Sequence, residues 1–201
     1  GNDTRDQDRN LAFFDDVASS PAAMEAGKAG DAYGLLPGHV IEQADARQAF
    51  IQSELGGDVE TWVRMPRDWM PASWSHLRDP VVPLRMALYG HPRAGACWEG
   101  YCERVLVDKG FEPIKGWRSC FFHPKLKVFL SVYIDDFKIS GPADGVKAAW
   151  KSIRSGTRGV DAIDTDDPQV IDKYLGCGHI IGEQTIDGAK QKVMDYDMSG
   201  F

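Results

Sequence analysis

The alternation of apolar and polar residues divides the chain into strands and helices in a definite order. β-Branched and aromatic residues dominate two short runs, residues 127–132 and 137–140, and the turn pair Gly141-Pro142 closes the second run. This pattern predicts a β-hairpin whose tip is Tyr133-Ile134-Asp135-Asp136. The tip would present two adjacent carboxylates.

Three segments carry apolar or small residues at helical spacing. The first, residues 19–36, opens with a serine N-cap followed by proline, and the other two, residues 94–109 and 143–154, each end at a glycine. The residues predicted to share one helix face are Ala22, Ala26, Ala29, Tyr33 and Leu36 in the first segment, Trp98, Tyr101, Cys102, Val105 and Leu106 in the second, and Val146, Ala149, Trp150 and Ile153 in the third.

Further strands are predicted at residues 39–44, which lead into Asp45, and at residues 174–181. The order strand, helix, hairpin, helix, strand is that of the ferredoxin-like split βαβ arrangement, an α+β fold. In this arrangement the first strand lies beside the hairpin and both helices cover the opposite face of the sheet. Asp45 is therefore expected to approach Asp135 at one edge of the sheet.

Size and charge narrow the class of protein. A chain of 201 residues with 43% hydrophobic content suits one domain, or one domain plus a lobe. No apolar run approaches the roughly 18 residues that span a bilayer, no secretory signal opens the chain, and its polar start suggests the interior of a longer protein. A net charge of −7 argues against a dedicated nucleic-acid-binding module, but not against an enzyme whose acidic site holds Mg²⁺.

The cysteines do not form a metal-binding or disulfide pattern. Cys120 and Cys177 each lie near a histidine, but neither pair has a matching second half for a zinc site. The expected state is reduced, mostly buried thiols in an intracellular protein.

Asp45, Asp135 and Asp136 are the candidate catalytic residues. Carboxylate oxygens suit Mg²⁺ (or Mn²⁺), and two such ions about 4 Å apart stabilise in-line phosphoryl transfer. Asp45 and Asp135 are predicted to bridge the two ions, with Asp136 as a weaker or outer ligand. Taken singly, Asp45 is more typical of a turn or cap residue, and the acidic pair is as typical of a solvated turn.

Four segments between about residues 40 and 183 resemble motifs of a known family, and their order along the chain agrees with it. Gln43–Phe50 looks like motif A of reverse transcriptases, and Tyr133–Asp136 matches their Tyr-x-Asp-Asp box. Leu84–Gly90 followed by Trp98 resembles the Leu-x-x-Ala-Leu-Tyr-Gly…Trp signature of copia-type retrotransposon polymerases, and Tyr174-Leu175-Gly176 resembles a segment that follows the box there. The sequences Gly90-His91-Pro92 and Asp136-Phe137-Lys138 resemble those of a divergent branch of these elements.

The resemblance implies a polymerase palm with partial fingers. Residues 40–55 and 94–183 would form the palm, residues 1–39 and about 56–93 the partial fingers, and residues 184–201 the start of the following connection. Phe50 falls at the family's sugar gate, which favours deoxynucleotides; ordinary core packing is the alternative for this residue. Tyr133 would lie near the primer end. Arg93 stands close to where the family has glutamine, so it either contacts a phosphate or marks an impaired pocket.

The implied activity is RNA-directed DNA polymerisation by two-metal nucleotidyl transfer. Its partners would be an RNA or DNA template-primer, deoxynucleoside triphosphates and the rest of a polyprotein (fingers, thumb and RNase H), with no membrane. The implied location is intracellular, in a cytoplasmic virus-like particle or in the nucleus. Two alternatives stay open: a catalytically degenerate domain of the same ancestry, and an unrelated ferredoxin-like RNA-binding module.

Overall fold

The protein is described here from a computed structural model, which describes Arg5, residues 24–57 and residues 60–199. The described part is mixed α/β, with three α-helices, antiparallel sheets and short 3₁₀ turns at Ala49–Gln52, Arg67–Trp69 and Ala72–Trp74. The helices and strands, in chain order, are α1 Met24–Gly34, β1 His39–Asp45, β2 Trp62–Arg64, β3 Val81–Pro83, α2 Ala94–Asp108, β4 Glu112–Pro113, β5 Cys120–His123, β6 Val128–Tyr133, β7 Asp136–Pro142, α3 Ala143–Arg154, β8 Gln169–Val170, β9 Lys173–Tyr174, β10 Cys177–Ile186 and β11 Ala189–Asp197.

A six-stranded sheet with the order β4-β5-β6-β7-β1-β8 is the centre of the fold. β1 runs antiparallel to β7, in a register that sets Asp45 opposite Asp136 and His39 opposite Pro142. The hairpin and the strand that ends at Asp45 are thus neighbours, as the sequence predicts. Sequence-distant carboxylates meet at one edge because β1 and β7 end together there.

The prediction of a single strand over residues 174–181 is wrong. Tyr174 ends β9, and the chain then turns through Leu175 and Gly176, whose φ angles are 50° and 80°. β10 pairs with β9 and β11 in a separate three-stranded sheet, while β8 pairs with the edge of β1 that β7 leaves free. Glycine readily adopts positive φ, so Gly176 favours a chain reversal where a continuous strand was expected.

α2 and α3 cover one face of the central sheet. The apolar faces predicted for these two helices are confirmed: Trp98 and Trp150 are only 2% and 3% exposed and belong to the main core with the strand residues beneath them. The three helices are 11, 15 and 12 residues long, and no helix in the described residues is both long and apolar enough to cross a membrane.

α1 and the three-stranded sheet cover the opposite face. α1 buries Ala26, Gly30 and Gly34, and a Cβ atom at Gly34 would overlap the side chain of Ile41. The small residues of α1 therefore allow this helix to pack close to the sheet. The predicted face of this helix is wrong at Ala29 and Leu36, which are exposed. Ala29 lies off the buried side of Ala26, Gly30 and Gly34, and Leu36 follows the end of the helix at Gly34. The predicted start at residues 19–21 lies outside the described residues.

Candidate active site

The tip of the β6–β7 hairpin is a two-residue turn in a strained conformation. Tyr133 and Asp136 form the last strand pair, so Ile134 and Asp135 make the turn itself. Ile134 has a φ of 57°, in the left-handed region that β-branched residues avoid. Such a conformation persists only where the surrounding structure enforces it.

Two hydrogen bonds hold this turn from different elements. The indole N–H of Trp98, on α2, donates to the carbonyl oxygen of Ile134 at 2.6 Å. The backbone N–H of Ala46, just after β1, donates to the carbonyl oxygen of Asp135 at 2.7 Å. Both peptide groups of the turn are therefore fixed relative to α2 and to the end of β1.

Asp45 and Asp136, two of the candidate carboxylates, lie side by side on neighbouring strands. They are partners in the β1–β7 ladder, and a hydrogen bond joins their side chains. Burial, the charges of Asp45 and Asp135 and this hydrogen bond raise the pKa of Asp136 to about 6. No basic side chain contributes to this shift. The site therefore concentrates negative charge, with no basic side chain acting on Asp136 to balance it.

This donor set suits a hard divalent cation. Mg²⁺ takes one or two protein carboxylates and completes its shell with water and substrate phosphates, so Asp45 and Asp136 supply enough. Asp135 is exposed and close enough to act on Asp136 by its charge. Within the described residues, no three acidic, histidine or cysteine side chains are grouped to hold a metal ion. The predicted metal site stays a prediction.

Phe50 lies on the same side of the molecule as the turn. It is half-buried on the 3₁₀ turn Ala49–Gln52, with its ring centroid 6.0 Å from that of Tyr89. Phe50, Trp98 and Ile134 all line one cleft of about 500 Å³ between α2 and the central sheet. The cleft therefore reaches the turn at Ile134, whereas none of the three candidate carboxylates lines it.

Arg93 and Tyr133 differ in their distance from the carboxylates. Tyr133 is half-buried at the end of β6, paired with Asp136. Arg93 immediately precedes α2, and its guanidinium lies against Gly57, where any Cβ atom would overlap it. The structure therefore sets Tyr133 beside the carboxylates, whereas it records no contact between Arg93 and them.

Sequence reasoning missed a buried charge network behind the site. Lys138, two residues after Asp136 on β7, pairs with Asp31 of α1 at 2.7 Å, and its ammonium lies 4.7 Å from the ring centroid of Tyr174. The Tyr196 hydroxyl donates to Asp31 at 3.0 Å, and His179 Nε2 is 3.5 Å from the same carboxylate. The available signal was a lysine within an apolar strand and an aspartate within a helix of small residues.

The network stabilises the charge on Asp31. Burial alone would raise the pKa of this carboxyl, but the hydrogen bond with His179 and the charge of Lys138 outweigh burial and lower it. The network joins α1, β7, β10 and β11, so it ties three parts of the chain together on the face of the sheet opposite α2 and α3.

Comparison with known proteins places the chain in a family. No curated protein matches it at the significance required. The profile of the family described as "Reverse transcriptase (RNA-dependent DNA polymerase)" matches residues 7–197, which include the hairpin, Asp45 and all three helices. The chain belongs to the reverse transcriptase (RNA-dependent DNA polymerase) family.

Proposed function

We propose that the chain is the palm and part of the fingers of a copia-type retrotransposon polymerase, which extends a primer with deoxynucleotides on an RNA or DNA template. The observation that carries this proposal is the contact between Asp45 and Asp136, two carboxylates from distant parts of the sequence at one sheet edge, with the pKa of Asp136 raised to about 6. A carboxylate whose pKa is strongly perturbed by neighbouring charges is a candidate for catalysis. Membership of the reverse transcriptase family supports the reaction class.

The sheet order supports the division of the chain. The neighbours β6-β7-β1-β8, with α2 and α3 on one face, follow the split βαβ order expected of a palm. We assign residues 40–55 and 94–183 to the palm, and residues 1–39 and about 56–93 to partial fingers. The boundary with the following connection, residues 184–201, falls within β10.

In the proposed reaction Asp45, Asp135 and Asp136 would hold Mg²⁺ or Mn²⁺. The pairing of Asp45 with Asp136 in the β1–β7 ladder favours a fuller ligand role for Asp136 than the outer role expected from the sequence. Two bound ions would activate the primer 3′-hydroxyl and neutralise the leaving pyrophosphate. A cation held here would relieve the repulsion that, together with burial, raises the pKa of Asp136. The fixed peptide groups of the turn keep these side chains in place without further rearrangement.

Three further residues have proposed roles around the carboxylates. The ring of Phe50 would lie beneath the ribose and exclude a 2′-hydroxyl, a role supported by its position in the cleft that Ile134 also lines. Tyr133 would lie near the primer end. Arg93 would contact a phosphate of the nucleotide or template.

The proposed setting is a retrotransposon polyprotein whose remaining fingers, thumb and RNase H complete the enzyme. We place its action inside the cell, in a cytoplasmic virus-like particle or in the nucleus. The template-primer and deoxynucleoside triphosphates are the partners that the proposed reaction requires.

A catalytically degenerate domain is the second candidate. It is favoured by the net charge of −7 and by the lack, within the described residues, of a three-ligand metal group. An unrelated RNA-binding module is less favoured. Such modules stack bases on an open sheet face, whereas α2 and α3 cover one face of this sheet and α1 and β9–β11 cover the other.

Primer extension by the chain within its natural flanking domains tests the proposal. Asp45→Asn and Asp136→Asn should each remove about 4 kcal/mol of transition-state stabilisation, about a thousandfold in rate, because a neutral amide cannot hold the metal charge. Asp187→Asn is the matched control, since Asp187 is an exposed aspartate in the distant β10–β11 turn. Full extension by the Asp136→Asn enzyme would exclude the assigned site, and an inactive wild type would favour the degenerate domain.

The sugar-gate role has its own assay. Phe50→Ala should keep deoxynucleotide incorporation and admit ribonucleotides, because only the clash with the 2′-hydroxyl is removed. Tyr89→Ala, which removes the ring next to Phe50, is the control. If discrimination against ribonucleotides is the same in wild type and Phe50→Ala, then Phe50 is a packing residue.

A further inference from the structure

We propose that Trp98 is a positioning residue for the carboxylate turn, acting through its indole N–H in addition to its packing. The hydrogen bond from Trp98 fixes the carbonyl of Ile134, and thereby sets the direction in which the chain enters Asp135 and Asp136. The effect on catalysis rests on the proposed function. The effect on the turn does not.

The conformation of Ile134 requires a restraint from outside the turn. A β-branched residue at a φ of 57° relaxes if its peptide group rotates, and that rotation would carry the Ile134 carbonyl away from its donor. The Trp98 bond opposes this relaxation. At 2.6 Å it is a short hydrogen bond, and the donor side chain is 2% exposed, so little water competes for the indole N–H.

Trp98 is itself held in place by its neighbours. Its ring stacks on Tyr101 at a centroid distance of 5.8 Å. The Tyr101 hydroxyl donates to the Ala162 carbonyl at 2.5 Å and accepts a hydrogen bond from the Gly159 N–H at 3.1 Å. The indole therefore has a fixed location from which it can impose a geometry on the turn.

The turn is also linked to Asp45 through the backbone of Ala46. The other bond to the turn comes from Ala46, whose neighbour Asp45 contacts Asp136. When the Trp98 bond is lost, the turn retains the Ala46 bond alone. Rotation of the Ile134 peptide would then alter both the Ala46 bond and the separation of the two carboxyl groups.

The test replaces the donor and keeps the shape. Incorporation of 3-benzothienylalanine at position 98 exchanges the indole N–H for sulfur, and Trp98→Phe is a genetically encoded second variant. Trp150→Phe is the control, because Trp150 is equally buried on α3 and belongs to the same core. In the chain with its natural flanks, the position-98 variants should lower kcat about 10–100-fold with little change in KM. The control should keep its kcat.

A structural readout separates this proposal from the proposed function. Amide exchange at Ala46 and backbone chemical shifts over residues 134–137 report the turn directly, without any activity. Faster exchange and shifted resonances in the benzothienyl variant, with a melting temperature near that of wild type, support the positioning role even if the wild type does not polymerise. An unchanged turn, or a changed turn in an active enzyme whose kcat is unaffected, overturns it.

Discussion

Asp31 and Asp136 are carboxylates on the same face of the central sheet, since Asp136 lies two residues before Lys138, the partner of Asp31, on β7. Their pKa values nevertheless move in opposite directions. Asp31 is 2% exposed, yet its pKa is lowered. Asp136 is less buried, yet its pKa is raised to about 6. Burial acts to raise both values, and the neighbours decide the outcome: Lys138 and His179 surround Asp31, whereas Asp45 and Asp135 surround Asp136.

The difference separates a carboxylate whose charge the fold already balances from one whose charge it does not. Lys138 and His179 supply positive charge next to Asp31, so this carboxylate needs no bound cation. Asp136 lacks any basic contributor and gains from a cation supplied from outside. Exposure alone would have ranked the two residues in the wrong order, because the more buried carboxylate is the one already neutralised by a partner.

The largest expected effect is on the buried pair. Asp31→Ala leaves Lys138 buried without its acidic partner, and we expect a loss of about 3–5 kcal/mol in the free energy of unfolding, measured by urea denaturation. The double variant Asp31→Ala with Lys138→Met should recover much of this loss, since the uncompensated charge is removed. If the free energy of unfolding of Asp31→Ala lies within about 1 kcal/mol of the wild-type value, the network does not hold the layers together.

Asp136→Asn should instead stabilise the protein at neutral pH. The folded pKa of about 6 exceeds the ordinary value of 3.8, so the folded chain binds this proton more tightly and loses stability as pH rises from about 4 to 6. The asparagine variant does not pay this cost and should be about 1–2 kcal/mol more stable than wild type at pH 7.5.

Denaturation at pH 4 and pH 7.5 measures this effect. The difference between Asp136→Asn and wild type should shrink toward zero as pH falls to about 4. Asp31→Asn is the opposite control: the lowered pKa of Asp31 contributes stability above its unfolded value, which is lost as pH falls through the folded value. An Asp136→Asn protein less stable than wild type at pH 7.5 would contradict the assigned repulsion.

Divalent metal should stabilise the wild-type protein through the same carboxylates. At ten times its dissociation constant, Mg²⁺ should add about 1.4 kcal/mol, or about 3–6 °C in melting temperature. The double variant Asp45→Asn with Asp136→Asn should not respond, and NaCl at equal ionic strength controls for screening. Equal shifts in the two proteins would show that the metal binds elsewhere.

The smallest expected effect concerns the turn. Ile134→Asn should stabilise the protein by about 0.5–1 kcal/mol, because asparagine tolerates the left-handed conformation better than isoleucine. Val160→Asn, at another exposed apolar position, should lack this gain. If both substitutions change the unfolding free energy equally, the turn stores no strain.

The elements that the sequence predicts well are those with a strong local pattern. The period of two in the hairpin and the helical spacing in α2 and α3 gave their bounds to within two residues, and Asp45 was placed correctly at the end of its strand. β8 has only two residues, so no periodic pattern could reveal it. Its role depends on the edge of β1 that the fold leaves free.

The residues of the candidate site stand out in the sequence, whereas their contacts do not. The Tyr-x-Asp-Asp segment and Asp45 stand out by residue type, whereas the register that sets Asp45 opposite Asp136, and not Asp135, depends on how the strands align. The hydrogen bond from Trp98 to Ile134 could not be predicted, because the helical spacing around Trp98 indicates only a core residue. Lys138 was hidden because the second layer over the sheet could not be foreseen.

The buried network has a consequence for the order of folding. Asp31 lies 107 residues from Lys138 and 165 residues from Tyr196 along the chain, so these contacts close very long loops. The hairpin β6–β7 closes through a two-residue turn and can form early. We therefore expect the layer of α1 and β9–β11 to dock late, so that weakening Asp31 accelerates unfolding and leaves the folding rate almost unchanged.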